Sequence, residues 1–441
     1  MGNNEPWLSR IVDSLDRSRA GLLTEHGRLP WPELVARARR TAAELSELPR
    51  GVVLAPDSGP GALVAVLAAG LAEPARSWVI GDPVQWGSAP ASPTAAPVSA
   101  HPRATPPPDV DGVTYATATS GTTGQPRLLF GRPETLADTV DLYVTGIPEY
   151  AEAELFAACT ASEFATDLAT VLHRIVLPAV VLGRDLMLFR PHQWHAAAAA
   201  LDGRPAVCLT PPPLALLGSR AASARHNYSG VRFVPEGGGL TTERAERVAA
   251  GFAGCSFLTL FGTTETGVLT VTREVRDDDY IGEPLPGKPV WLSDPGDDGE
   301  RNHGVGTMWT AGPDTRIATT DGLLSRSAEG AVGSGYLARP GADGGFVLAG
   351  KADERVDVDG VSIDPGDLLA SLRDIRGLVD ASVSVDRSGP AGRITIVAVG
   401  DVTEGQIRRR LAARTAALVP HEVVCHPAQE LSHSQRGKVL R

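Results

Sequence analysis

The chain has 441 residues, 42% hydrophobic and 21% charged, an ordinary globular composition with room for one large and one small domain. Its 48 Gly and 35 Pro mark many turns and exclude a coiled coil or a long helical bundle. With 41 basic against 52 acidic residues the formal net charge is -11. Such a field repels phosphate backbones and anionic bilayers, so neither nucleic acid nor a membrane is expected as a partner. Cys159, Cys208, Cys255 and Cys425 are scattered without a CxxC pair, which fits neither a zinc knuckle nor a disulfide framework and predicts a reducing, cytoplasmic setting. No membrane-length apolar segment and no apolar run behind a basic start is found.

Leu34, Ala38, Ala42 and Leu45 recur at helical spacing and predict a helix over 33–48. A strand over 52–54 then ends in the turn residues Pro56, Asp57 and Ser58, and a helix over 61–71 and a strand over 77–80 follow. This alternation predicts an α/β layer with parallel strands. Over 82–110 the chain turns to Pro, Ala and Ser, too poor in apolar side chains to order itself, and a flexible surface segment is expected. The pattern resumes with a strand over 112–117, an apolar segment over 164–182, and strands over 206–209 and 231–234. After Lys351 come helices over 365–373 and 404–418 and strands over 381–385, 393–399 and 422–425, the outline of a small α+β unit. Its boundary is expected within the charged stretch 351–357. No internal repeat is found.

The strongest local signal is Thr119-Ser120-Gly121-Thr122-Thr123-Gly124-Gln125-Pro126-Arg127. Four hydroxyl-bearing residues and two glycines in six positions let side-chain O–H and backbone N–H groups converge on phosphate oxygens, with Arg127 adding positive charge. The ending of a Walker A loop is absent, and a Ser/Thr-rich turn is the alternative. A second signal is Phe261-Gly262-Thr263-Thr264-Glu265-Thr266, preceded by Gly237-Gly238-Gly239. Bare glycine backbone lets a flat ring lie close, the aromatic Phe261 covers its other face, and a lone carboxylate among hydroxyls suits a magnesium ion that keeps most of its waters. Tight turns and a solvated acid would read the same way.

Taken in order with GKADERVDVDG, which contains Lys351 and Asp353, and with Ser434-Gln435-Arg436-Gly437-Lys438 near the C-terminus, these motifs resemble the adenylate-forming superfamily. That superfamily holds acyl-CoA and aryl-CoA synthetases, peptide-synthetase adenylation domains and luciferases. The resemblance implies an α/β fold with a large multi-subdomain N-terminal lobe of mixed sheets and helices, 1–350, and a small mobile α+β C-terminal lobe, 351–441, hinged at Asp353. It implies Mg2+ and ATP, a carboxylic acid activated as acyl-adenylate with release of pyrophosphate, and transfer to the thiol of CoA or of an acyl or peptidyl carrier protein. An amine acceptor, giving an amide, is the variant. Thr119, Ser120, Gly121, Thr122, Thr123, Gly124 and Arg127 would hold the pyrophosphate part of ATP, and Gly237, Gly238 and Gly239 the adenine. Within the Phe261, Gly262, Thr263 motif, Thr264 would lie near the α-phosphate and Glu265 on the metal, with Lys438 as the catalytic lysine.

The chain departs from that pattern at several positions. Arg127 stands where a lysine is usual, Lys351 where an arginine is, and Asp357 where a lysine is. The family's ribose-binding Thr-Gly-Asp aligns with Ser334-Gly335-Tyr336; an alternative register would use Asp321. A tyrosine offers no bidentate carboxylate. The N-terminal region is also shorter than is usual in the family. Phe164, Asp167 and His173 are candidates for the acid pocket, with His173 as a plain structural residue the alternative. Two rivals remain: a degenerate relative that binds without adenylating, motivated by Tyr336, and a phosphotransferase, for which no base motif is found.

Overall fold

Three seven-stranded sheets hold most of the strands among the described residues. The computed structural model describes residues 8, 12–46, 51–54, 60–72, 78–81, 99–101, 115–119, 127–131, 134–159, 168–190, 193–210, 225–235, 240, 242–276, 279–293, 304–319, 322–324, 327, 330–351, 356–358, 361–363, 365–372, 375–386, 393–414, 420 and 422–427.

The first sheet is parallel in its interior. Its order is Ser256–Phe257, Val231–Pro235, Ala206–Thr210, Leu155–Cys159, Asp185–Phe189, then the antiparallel hairpin Gly21–Thr24 and Gly27–Pro30. Leu155–Cys159 is buried along its whole length, as a strand covered on both faces must be. Leu155, Ala157 and Cys159 join Met187, Trp194 and Phe233 in one core cluster. The intervening Phe156 and Ala158 join Leu186, Val207 and Val234 in another, the period of two expected of a pleated strand. Each large apolar side chain so buried contributes about 1.5–3 kcal/mol.

The second sheet runs Gly322–Leu323, Ala318–Thr319, Arg127–Gly131, Tyr115–Thr119, Trp78–Gly81, Gly51–Leu54, Ser99–His101. Only two of its pairings, Gly51–Leu54 with Trp78–Gly81 and the latter with Tyr115–Thr119, follow the parallel expectation; the remainder is antiparallel. Ser99–His101 lies inside the stretch read from composition as flexible. It pairs with Val52, Val53 and Leu54, and main-chain hydrogen bonds to an existing edge order a short strand without large apolar side chains. The third sheet is wholly antiparallel: Thr259–Thr263, Gly267–Thr272, Tyr280–Pro284, Phe346–Lys351, Val332–Pro340, Gly306–Thr310, Val290–Ser293.

The helix foreseen over 33–48 is Trp31–Ser46, and Leu34, Ala38, Ala42 and Leu45 all lie on its buried face. It starts earlier because Trp31 packs inward and its indole N–H donates to the Arg184 carbonyl at 2.9 Å. The apolar segment over 164–182 is helical from Leu168 to Val181, with a wide π turn at Leu172–Val176. That turn falls just before Pro178, whose missing N–H interrupts the ladder. Toward the C-terminus, Leu378–Asp386, Arg393–Gly400 and Glu422–His426 form a three-stranded sheet. The helices Pro365–Leu372 and Glu404–Arg414 pack on it through Leu368, Leu372, Ile407 and Leu411.

Candidate active site

The segment Phe261 to Thr266 is the tip of a hairpin. Thr259–Thr263 pairs with Gly267–Thr272, and Thr263 lies opposite Gly267. The chain enters this hairpin straight from the edge of the parallel sheet, where Ser256 and Phe257 pair with Arg232 and Phe233 and the Leu258 N–H donates to the Phe233 carbonyl at 2.8 Å. The hairpin therefore rises beside the carboxyl end of Val231–Pro235, from which the Gly237-Gly238-Gly239 segment departs. Carboxyl ends of parallel strands are where open α/β sheets bind ligands.

Two glycines make the tip possible. A Cβ on Gly262 would stand 1.9 Å from the Gly267 carbonyl oxygen, and Gly267 itself has φ +68, a left-handed conformation that side chains resist. Thr263 and Thr266 close the turn, with their hydroxyls 3.1 Å apart and the Thr266 hydroxyl accepting from the Thr263 N–H at 3.1 Å. The Thr264 and Glu265 side chains are half-buried at the apex. Among the described residues no ion pair occupies the Glu265 carboxylate.

Behind the tip lies a polar cluster without access to water. Lys288 and Asp314 pair at 2.6 Å with side chains 0% and 2% exposed. The Lys288 ammonium also donates to the Thr266 carbonyl at 2.6 Å and the Val268 carbonyl at 2.8 Å. The other Asp314 oxygen accepts from the Tyr143 hydroxyl at 2.9 Å and the Val268 N–H at 3.0 Å. Burial pushes the Tyr143 hydroxyl well above its ordinary pKa, and the Asp314 charge adds to that. Burial likewise lowers the Lys288 pKa against the opposing pull of Asp314.

From Asp314 the chain runs as a strap to the second motif. The Arg316 N–H donates to the Glu265 carbonyl at 2.8 Å and the Ile317 N–H to the Phe130 carbonyl at 2.9 Å. Ala318 and Thr319 then pair with Phe130 and Leu129. Phe130 belongs to the strand that begins at Arg127, and Arg127 lies opposite Thr119. The Ser/Thr/Gly-rich motif is thus the connection of a hairpin, and one strap ties that hairpin to the one bearing Glu265.

The structure also brings Tyr336 beside this site, its ring 5.3 Å from that of Phe261 and edge-on to it. Tyr336 lies opposite Lys351 in the sheet. His173 is 4% exposed, and its ring nitrogens lie 3.4 Å from the Arg316 guanidinium. Ser120, Gly121, Thr122, Thr123, Gly124, Phe164, Asp167, Gly237, Gly238, Gly239, Asp321, Asp353 and Lys438 lie outside the described residues. Lys288, Asp314 and Tyr143 escaped sequence reading; the one local signal is a charge in each of two short apolar connections, Leu285-Pro286-Gly287-Lys288-Pro289 and Ala311-Gly312-Pro313-Asp314.

The two hairpins and the strap frame a half-buried carboxylate, and sequence comparison gives the family. The chain belongs to the AMP-binding enzyme family, whose pattern it matches over residues 54–318, more than half its length. Among its relatives, the phenyloxazoline synthase MbtB of Mycobacterium tuberculosis is 25% identical over 357 residues, covering 76% of this chain and 25% of that protein. The L-proline–[L-prolyl-carrier protein] ligase of Streptomyces coelicolor is 29% identical over 159 residues, 32% of this chain and 29% of that one. The chain spans about a quarter of the length of the M. tuberculosis synthase. Two solved structures share the fold across nearly the whole chain. ATP-bound MatB from Rhodopseudomonas palustris superposes with a TM-score of 0.75 at 19% identity, covering 99% of this chain and 97% of its own. McyG A-PCP with phenylalanyl-adenylate gives 0.70 at 14%, covering 100% and 94%. The adenylate-forming fold expected from the motifs is the fold observed.

Proposed function

We propose that the chain activates a carboxylic acid with ATP and passes the acyl group to a thiol. One observation carries this reading: the half-buried Glu265 at the apex of its hairpin is joined by a single strap to the hairpin bearing the Ser/Thr/Gly-rich connection. A carboxylate oxygen of the acid attacks the α-phosphorus of ATP, the bond to the β-phosphate oxygen breaks, and pyrophosphate leaves. A thiol sulfur then attacks the acyl carbon and AMP departs. Both partners of the first step are anions, so their approach needs positive charge at the site.

The donor set fits a magnesium ion. Glu265 would supply the one carboxylate, a hard oxygen ligand suited to an ion that completes its shell with phosphate and water. Such an ion would neutralise charge on the phosphates. Thr264 beside it orients the α-phosphate, the loop between Thr119 and Arg127 holds the pyrophosphate part, and Lys438 stabilises charge on the reacting phosphate. The division near 350 and the hinge at Asp353 belong to the same proposal: closure of the small lobe would deliver Lys438 only when substrates are bound. At the ribose, the Tyr336 hydroxyl offers one hydrogen-bonding group where the family's carboxylate offers two oxygens.

A thiol acceptor on a carrier protein agrees with the S. coelicolor relative, named as a carrier-protein ligase. The test is pyrophosphate-to-ATP isotope exchange against aliphatic, aromatic and amino acids, with Lys438→Ala as control and CoA, a carrier protein or an amine added afterwards to identify the acceptor. Acid-dependent exchange that disappears in Lys438→Ala is expected. A wild-type chain that binds ATP but exchanges with no acid would favour the nucleotide-binding relative that Tyr336 suggests.

A further inference from the structure

The polar cluster behind the Glu265 hairpin is an expensive arrangement for a protein core. Two fully desolvated charges gain little net stability over an apolar pair of the same volume, because desolvation offsets most of their attraction. Lys288 spends its hydrogen bonds on backbone as well as on its counterion. It donates to the Thr266 and Val268 carbonyls, which flank Gly267 in the strand leaving the tip, and to Asp314. Asp314 in turn accepts from the Val268 N–H and from Tyr143. The absence of a Cβ on Gly267 completes the fit, for a Cβ there would stand 2.0 Å from an Asp314 oxygen. Three elements distant in sequence, the helix Glu134–Gly146, the connection at Lys288 and the turn at Asp314, thus converge on the backbone immediately after Glu265.

The strap leaving Asp314 gives this convergence a direction. Within three residues it meets first the Glu265 carbonyl and then the Phe130 carbonyl. Its position is therefore shared by the hairpin carrying the carboxylate and the hairpin carrying the phosphate-loop connection. We propose that Asp314, Lys288 and Tyr143 are positioning residues that lock the strap and so hold Glu265 at a fixed place relative to the loop between Thr119 and Arg127. This rests on the adenylation reading of the site. None of the three is placed on the reacting atoms; they act through the backbone of Glu265 and Phe130, as outer partners orient inner ligands in metal sites.

The test uses the full chain and three variants, Asp314→Asn, Tyr143→Phe and Asp185→Asn. Asp185 is the control because it too is a buried carboxylate bonded to a backbone N–H, that of Gly21 at 3.1 Å, yet it lies on the parallel sheet away from the strap. For each variant the thermal transition, the Mg2+ concentration for half-maximal pyrophosphate exchange, the KM for the acid, ATP binding by calorimetry with and without Mg2+, and amide hydrogen exchange are measured. Asp314→Asn is expected to raise the half-saturating Mg2+ concentration and lower kcat by about tenfold or more with the acid KM unchanged. It should also weaken ATP binding only when Mg2+ is present, and speed hydrogen exchange over 259–272 and 127–131. Tyr143→Phe, which removes one hydroxyl, should move the same readouts in the same direction by less. Asp185→Asn should lower the transition temperature and leave the Mg2+ dependence at the wild-type value.

Equal Mg2+ shifts in Asp314→Asn and Asp185→Asn would overturn the proposal, as would a wild-type Mg2+ profile in a folded Asp314→Asn. If Asp314→Asn does not fold, Tyr143→Phe decides: an unchanged Mg2+ profile refutes the positioning role. Failure of the adenylation reading itself is separately visible, as a wild-type chain without exchange for any acid.

Discussion

Two buried aspartates, Asp185 and Asp314, show what a carboxylate can do in one fold. Each is nearly inaccessible and each accepts from a backbone N–H. Asp185 adds Arg28 at 2.8 Å and Arg204 at 3.1 Å, cations whose side chains are 47% and 29% exposed. It pins the hairpin Gly21–Thr24 and Gly27–Pro30 to the parallel sheet while its partners keep their contact with water. Asp314 faces Lys288 and Tyr143, both wholly buried. The first cluster is a clasp at a rim, where solvent screens the charges. The second is sealed, and its backbone partners at Thr266 and Val268 belong to the Glu265 hairpin.

The contrast breaks most sharply at Lys288. Lys288→Met leaves Asp314 charged and unpaired in the core and is expected to cost about 3–5 kcal/mol, read as a lowered denaturant midpoint; a loss no larger than that of Asp185→Asn would erase the distinction. Gly267→Ala comes next. It forces a side chain into a left-handed conformation and against the Asp314 carboxylate, with an expected cost of about 1–3 kcal/mol and a rise in the Mg2+ requirement, whereas a neutral result would mean the strap gives way freely.

The smallest effect is expected outside both clusters, at Glu149 and Arg273, which pair at the edge of the fold with a bond of 2.8 Å, the arginine side chain half exposed. Burial alone would raise the Glu149 pKa, but the hydrogen bond and charge of Arg273 outweigh it and hold it below the ordinary 4.5. The pair therefore stabilises the fold above that ordinary value, and its contribution is lost as pH falls through the lowered one. Arg273→Met should cost less than about 1 kcal/mol at neutral pH, with the difference from wild type vanishing in acid; a pH-independent difference would refute the assignment.

Sequence made the Glu265 motif legible, though not the hairpin that bears it, because its chemistry is local: aromatic, glycine, threonines and carboxylate follow one another. The helix from Trp31 was legible for the same reason, since its buried face repeats every turn. The strap and its cluster were not. Tyr143 and Asp314 meet across 171 positions and Lys288 and Asp314 across 26, and such pairs leave no periodic trace. Ser99–His101 was hidden because its order comes from the edge it joins and not from its own side chains. Nor could spacing alone choose between Tyr336 and Asp321 for the ribose register. The structure sets the Tyr336 ring against Phe261, while Asp321 lies outside the described residues.

The central claim is that this site makes an adenylate, and the products of ATP turnover test it most directly. Wild-type chain, ATP, Mg2+ and the acid found by exchange, with a thiol acceptor present, should yield AMP and pyrophosphate in equal amounts, with Glu265→Gln slowed by about a hundredfold. Formation of ADP and phosphate instead, or full turnover in Glu265→Gln, would contradict the account.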